Sequence, residues 1–127
     1  MTTYTNSEIN AIVATINEQL NASVERSIIW SWGISKRFAT KYNNMPALGL
    51  RVSGLLHKGF VYIAYNEGKD LYEIFLTSIR GKEKVHIEEV YCDMLGNVID
   101  SVVERSPKMT NEDYKRKALA DSARKLA

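Results

Sequence analysis

This chain of 127 residues has one cysteine, two prolines and two histidines, and it lacks any apolar run of about eighteen residues. Each scarcity excludes something. Cys92 alone cannot close an internal disulfide, and a cysteine-based structural zinc site is not expected. That usage fits a reducing compartment, so a cytoplasmic location is expected. Without a long apolar run, no membrane span is expected, and the first residues do not resemble a signal peptide.

Catalytic spacing is equally scarce. His57 and His86 stand far apart, and neither sits in a pattern such as HExxH. A nucleophilic role for Cys92 needs a histidine beside it in space, and only His86 is near in sequence. Gly49, Gly54 and Gly59 fall five apart, but no Lys-Ser or Lys-Thr follows them and no helix opens there, so they read as strand and turn glycines. No catalytic residue, metal site or cofactor is therefore expected.

Charge is nearly balanced, at a formal +2. Its distribution is less even. Arg105 to Ala127 carries seven Lys or Arg against three Asp or Glu, while the rest carries ten against twelve.

What is present is alternation. Phe60 to Tyr65, and Leu71 to Thr77, are runs of β-branched and aromatic residues in which successive side chains point to opposite faces of a strand. Tyr72, Ile74 and Leu76 then share one face, and Leu71, Glu73, Phe75 and Thr77 the other. Asn66 to Asp70 reads as a hairpin loop with Gly68 free to take positive φ, and Arg80-Gly81-Lys82 as a second turn before Lys84 to Glu88. Leu48, Leu50 and Val52 alternate upstream, with Ser53-Gly54 as their turn and a bulge or late strand start near Gly59. Short connections favour antiparallel neighbours, which gives a four-strand meander over residues 47–90.

Helices flank it. Asn6 or Ser7 caps a run in which Ile9, Ile12, Val13, Ile16 and Leu20 form one apolar stripe. Asp93 caps a helix over Met94 to Glu104, the alternative being a helix that starts near Glu88. Gly96 there costs roughly 1 kcal/mol unless packing compensates. After Ser106-Pro107, Thr110 caps a last helix with acid in its first turn and Arg124 and Lys125 in its last. The expectation is a single α+β domain over 1–127. It has a loose start over 1–6, a four- to five-stranded antiparallel meander, an N-terminal helix, and two C-terminal helices, the last basic and mobile over 106–127.

Two segments carry the functional reading. Trp30 and Trp32, two apart in Ile28 to Trp32, share a face if that segment is the fifth strand. They then form either core or an exposed aromatic platform. Lys36 to Tyr42 reads as a short helix or turn whose Lys36, Arg37 and Lys41 interleave with Phe38 and Tyr42. Trp30, Trp32, Phe38 and Tyr42 are the candidates for protein contact, in keeping with the role of Trp and Tyr as interface anchors. Lys36, Arg37, Lys41, Lys115, Arg116 and Lys117 are the candidates for nucleic-acid contact.

Lys115-Arg116-Lys117-Ala118, after a helix and an antiparallel sheet, resembles in outline the double-stranded-RNA-binding domain. The resemblance covers those four residues, and a fourth strand and an extra helix precede them here. It implies a phosphate-contacting helix start and does not identify a family. The sequence supports a small non-enzymatic binding domain for a protein, self or other. The alternative is binding of RNA or DNA.

Overall fold

A computed structural model describes residues 4–104, arranged as α1 (Asn6–Ser23), α2 (Arg26–Ser31), β1 (Lys36–Tyr42), β2 (Met45–Ser53), β3 (Lys58–Asn66), β4 (Leu71–Thr77), β5 (Glu83–Val90), a 3₁₀ turn (Cys92–Met94) and α3 (Leu95–Val103). The five strands pair in the order β1-β2-β3-β4-β5, every pair antiparallel. The fold is α+β, as the alternation indicated. None of the helices among the described residues is long and apolar enough to cross a membrane. The expected helix over 106–127 lies outside the described residues.

One sheet face is covered by helices. Leu48, Leu50 and Val52 of β2, Val61 and Ile63 of β3, and Tyr72, Ile74 and Leu76 of β4 meet Ile9, Val13, Ile16 and Leu20 of α1 and Leu95, Ile99 and Val103 of α3. Each of these buried side chains is worth about 1.5–3 kcal/mol as area removed from water, before the entropy of ordering it. α1 is capped by Thr5, ahead of both expected caps, Asn6 and Ser7. Thr5 Oγ1 accepts from the Glu8 N–H, and Glu8 Oε1 accepts from the Thr5 N–H, both at 3.1 Å. That reciprocal pair satisfies two of the free donors at a helix start. Tyr4 is anchored ahead of it by a 2.7 Å bond from its hydroxyl to Glu67.

The fifth strand is not Ile28–Trp32. That segment belongs to α2, closed by Gly33 in the left-handed region (φ 63), and Trp32 and Trp30 consequently point different ways. The extra strand is β1, the segment expected to be helix or turn. Asn43 and Asn44 both take positive φ (48 and 63) and close a two-residue hairpin, a conformation asparagine tolerates better than most residues. Pro46 fits in β2 because pairing with β3 starts only at Ala47, so no ladder donor is lost. In the β3–β4 loop, Asp70 (φ 53) takes the left-handed position rather than Gly68.

β5 runs through Val90, which rules out a helix from Glu88. Asp93 lies within the 3₁₀ turn, and the position before α3 is Met94. Gly96 lets α3 approach α1. A Cβ there would sit 2.5 Å from Val24, and the Gly96 N–H donates to Ser23 Oγ at 2.9 Å. At its other end, the Val103 carbonyl accepts from the N–H groups of Leu56 (2.8 Å) and His57 (3.2 Å). Glu104 Oε2 accepts from the Leu55 N–H at 2.8 Å. The β2–β3 turn thus supplies the donors that the end of α3 lacks.

Candidate functional site

The second sheet face carries the chemistry. Period-two alternation sends Phe38, Gly49, Tyr62, Phe75 and His86 to it, and the registers place these five in one line across all five strands. Four of the five are aromatic rings. The fifth is a glycine over which the Phe38 ring lies, so that a Cβ on Gly49 would meet ring carbons at 2.4 Å. Phe38 stands edge-on to both Phe60 and Tyr62, at 6.0 and 6.1 Å between centroids. His86 stacks on Phe75 at 4.2 Å with 14° between planes.

The next line, Thr40, Ala47, Ala64 and Glu73, is small in its middle. The Tyr42 ring fills that space, stacked on Tyr62 at 4.7 Å and tilted over Phe75 at 4.4 Å. Its hydroxyl donates to Glu83 Oε1 on β5 at 2.8 Å. The first and fifth strands are therefore bridged over the sheet, which must coil for that reach. Burial and then the Glu83 carboxylate push the Tyr42 phenol up to about 12.

Beside the aromatic line lies a polar cluster. Glu73, nearly buried, accepts from Asn66 Nδ2 at 2.8 Å, and its other oxygen is 2.6 Å from His86 Nε2. Glu88 Oε1 lies 3.9 Å from the same nitrogen. The register between β4 and β5 shifts between Tyr72 and Ile74, and Glu89 takes φ 58. This bulge turns Val90 into the helix-side core while leaving Glu88 on the His86 face. Lys36 and Arg51 occupy the β1–β2 border of the face, beside Phe60, and Lys36 Nζ stands 5.6 Å over the Phe38 ring. Glu83 and Glu88 occupy the β5 border. The face is basic on one side and acidic on the other.

Of the sequence candidates, Phe38, Tyr42 and Lys36 come together here. Trp32 does not. It is fully buried, and its indole Nε1 donates to Asp100 Oδ1 at 2.8 Å. Trp30 is half-buried and lines a shallow cleft with Ile29, Gly33, Ile34 and Arg37. Arg37 and Lys41 alternate to the opposite side of β1 from Lys36. The Arg37 guanidinium donates to Asn17 and Asn21 of α1, tying the edge strand to that helix. Lys115, Arg116 and Lys117 lie outside the described residues.

Cys92 is exposed. It lies two residues after Val90 and influences the Tyr72 phenol, on the helix side of the sheet, whereas His86 projects from the other face. The sheet separates the two, so the Cys92–His86 pairing does not form.

Sequence reading missed Phe60, Tyr62, Phe75, Glu73, His86, Glu88 and Arg51 as a group. The spacing His86-x-Glu88 on a strand was a legible signal, since positions two apart share a face. Glu73 joins them only through β4–β5 register, which no local pattern reveals. No protein-family model, no curated protein and no solved structure matches this chain.

Proposed function

We propose that this chain is a non-enzymatic protein-interaction domain that associates with a second copy of itself through the aromatic sheet face. The observation that carries the reading is the line of rings from Phe38 to His86, half-exposed at Phe38, Phe60 and Tyr62, with no element among the described residues laid over it. Aromatic side chains that remain partly in water supply large contact area at small entropic cost.

Two further features favour the face over the edges. β1 carries Lys36, Arg37 and Lys41, and β5 carries a bulge with Glu88 and Glu89. Charges and bulges of this kind discourage pairing with another strand. Moreover, a two-fold axis sets the Lys36/Arg51 border of one copy against the Glu83/Glu88 border of the other, which makes the face self-complementary. A cytoplasmic setting, suggested by the solitary cysteine, belongs to the same proposal.

Sedimentation equilibrium of the full chain tests this. The expected result is a reversible dimer, weakened at least tenfold by Arg51→Glu and equally by Glu83→Arg, and restored in the double swap. A chain that stays monomeric at every concentration overturns the reading.

The alternative, nucleic-acid binding, draws on one observation. Lys36 and Arg51 beside Phe38 and Phe60 combine cations with stackable rings, as single-strand platforms do. A titration with single-stranded RNA or DNA that weakens steeply with salt would select it.

A further inference from the structure

The polar cluster beside the rings does more than the aromatic contact requires. We infer that Glu73, His86 and Glu88 form a binding site for one divalent transition-metal ion of the zinc class, independent of any protein partner.

The donor set comes first. His86 offers Nε2, and Glu73 and Glu88 each offer a carboxylate oxygen, all within 4.8 Å of one another. An imidazole with two carboxylates suits zinc and its neighbours, whereas magnesium and calcium prefer oxygen alone. Three protein ligands with a fourth position left to solvent is an ordinary open zinc geometry.

The distances are close to what an ion would impose. Ligands about 2.1 Å from a tetrahedral centre stand about 3.4 Å apart. Here His86 Nε2 is 2.6 Å from Glu73 and 3.9 Å from Glu88. Each of these two gaps needs to change by less than 1 Å, and the Glu88 side chain, 58% exposed, has the freedom to move.

The supporting groups are in place. Asn66 Nδ2 holds the second oxygen of Glu73, and the Phe75 ring fixes the plane of His86. Partners of this kind orient metal ligands and raise affinity. Glu73 and His86 stand on adjacent paired strands, so the two are positioned without loop motion. Exposure of Glu88 gives the ion an entry path, while Glu73 at 11% side-chain exposure gives the floor.

The experiment uses the full chain with Cys92→Ser, which removes the thiol as a competing ligand. Zinc chloride is titrated calorimetrically, and cobalt(II) chloride is followed by its visible absorption. The expected result is one ion per chain, with a cobalt spectrum of tetrahedral intensity. His86→Gln abolishes binding and Glu88→Gln weakens it at least tenfold. Asn66→Ala, which touches no ion, weakens it by about 10- to 100-fold. Circular dichroism checks that each variant is folded, and both His86 and Glu88 are surface positions where substitution leaves the core intact. No saturable binding at about 1 mM zinc, the weak end of the affinity scale, overturns the site. So does binding of equal strength in the wild type, His86→Gln and Glu88→Gln, which would place the ion elsewhere.

Discussion

His57 shows how much a single side chain can carry in this fold. Only 5% exposed, it sits in the β2–β3 turn with Nε2 donating to the Phe60 carbonyl at 3.1 Å. Burial pushes its imidazole below the usual 6.5, the Phe60 carbonyl opposes that shift, and Lys84 adds to it. The folded chain therefore holds this proton less tightly than the unfolded chain does. As pH falls below about 6.5, the unfolded state protonates first and stability drops until the folded pKa is passed. The urea midpoint should decline across that range. His57→Gln, which keeps a donor for Phe60, should flatten the decline. Equal slopes in the two proteins would show that His57 contributes nothing to it. The difference between wild type and variant is the quantity to read, since it isolates His57 from the rest of the chain.

At the scale of elements, Gly49 is where strand chemistry and the aromatic face meet. A Cβ at this position would strike the far side of the Phe38 ring, not backbone, so the ring can swing away. Gly49→Ala should change stability by no more than about 1 kcal/mol, because the gain in strand preference offsets lost ring contact. The edge contact between Phe38 and Tyr62 should disappear, read as loss of the ring-to-ring nuclear Overhauser effect. A retained contact would mean that the Phe38 ring does not depend on the glycine.

The same elements show what the sequence made legible. β3 and β4 were plain because β-branched and aromatic residues fill both their faces, and α1 was plain because one apolar stripe runs its length. β1 was not, since Lys36, Arg37 and Lys41 dilute the alternation of Phe38, Thr40 and Tyr42. Its true marker was Asn43-Asn44, a pair suited to a two-residue turn. Trp30 and Trp32 imitated a strand, and Gly33 immediately after them was the sign of a helix end. Phe38 and Tyr42 stand out locally as candidate contact residues, but the site around them depends on register across four strand pairs. Such register is set by burial on the other face, through contacts distant in sequence.

The whole molecule is asymmetric about its sheet. One face is sealed by α1 and α3, and the other is covered, among the described residues, only by its own rings. If that second face pairs with a copy, unfolding also dissociates the dimer, and the melting temperature must rise with protein concentration. Differential scanning fluorimetry over a hundredfold dilution checks this. A constant melting temperature would show that the folded chain does not dimerise over that range. Leu55, Leu56 and Ile79, all exposed, gather at the sheet end formed by the β2–β3 and β4–β5 turns, away from the line of rings. Glu104 lies at that same end.

The anchoring of Tyr4 on the β3–β4 turn and of Val103 on the β2–β3 turn places the two ends of the described chain at opposite ends of β3. These points are separated by the length of a nine-residue strand, roughly 26 Å. Tension applied there would act along the strands, sliding α1 and α3 over the sheet. Their contacts would then be loaded together, as in a lap joint, instead of peeling apart one at a time.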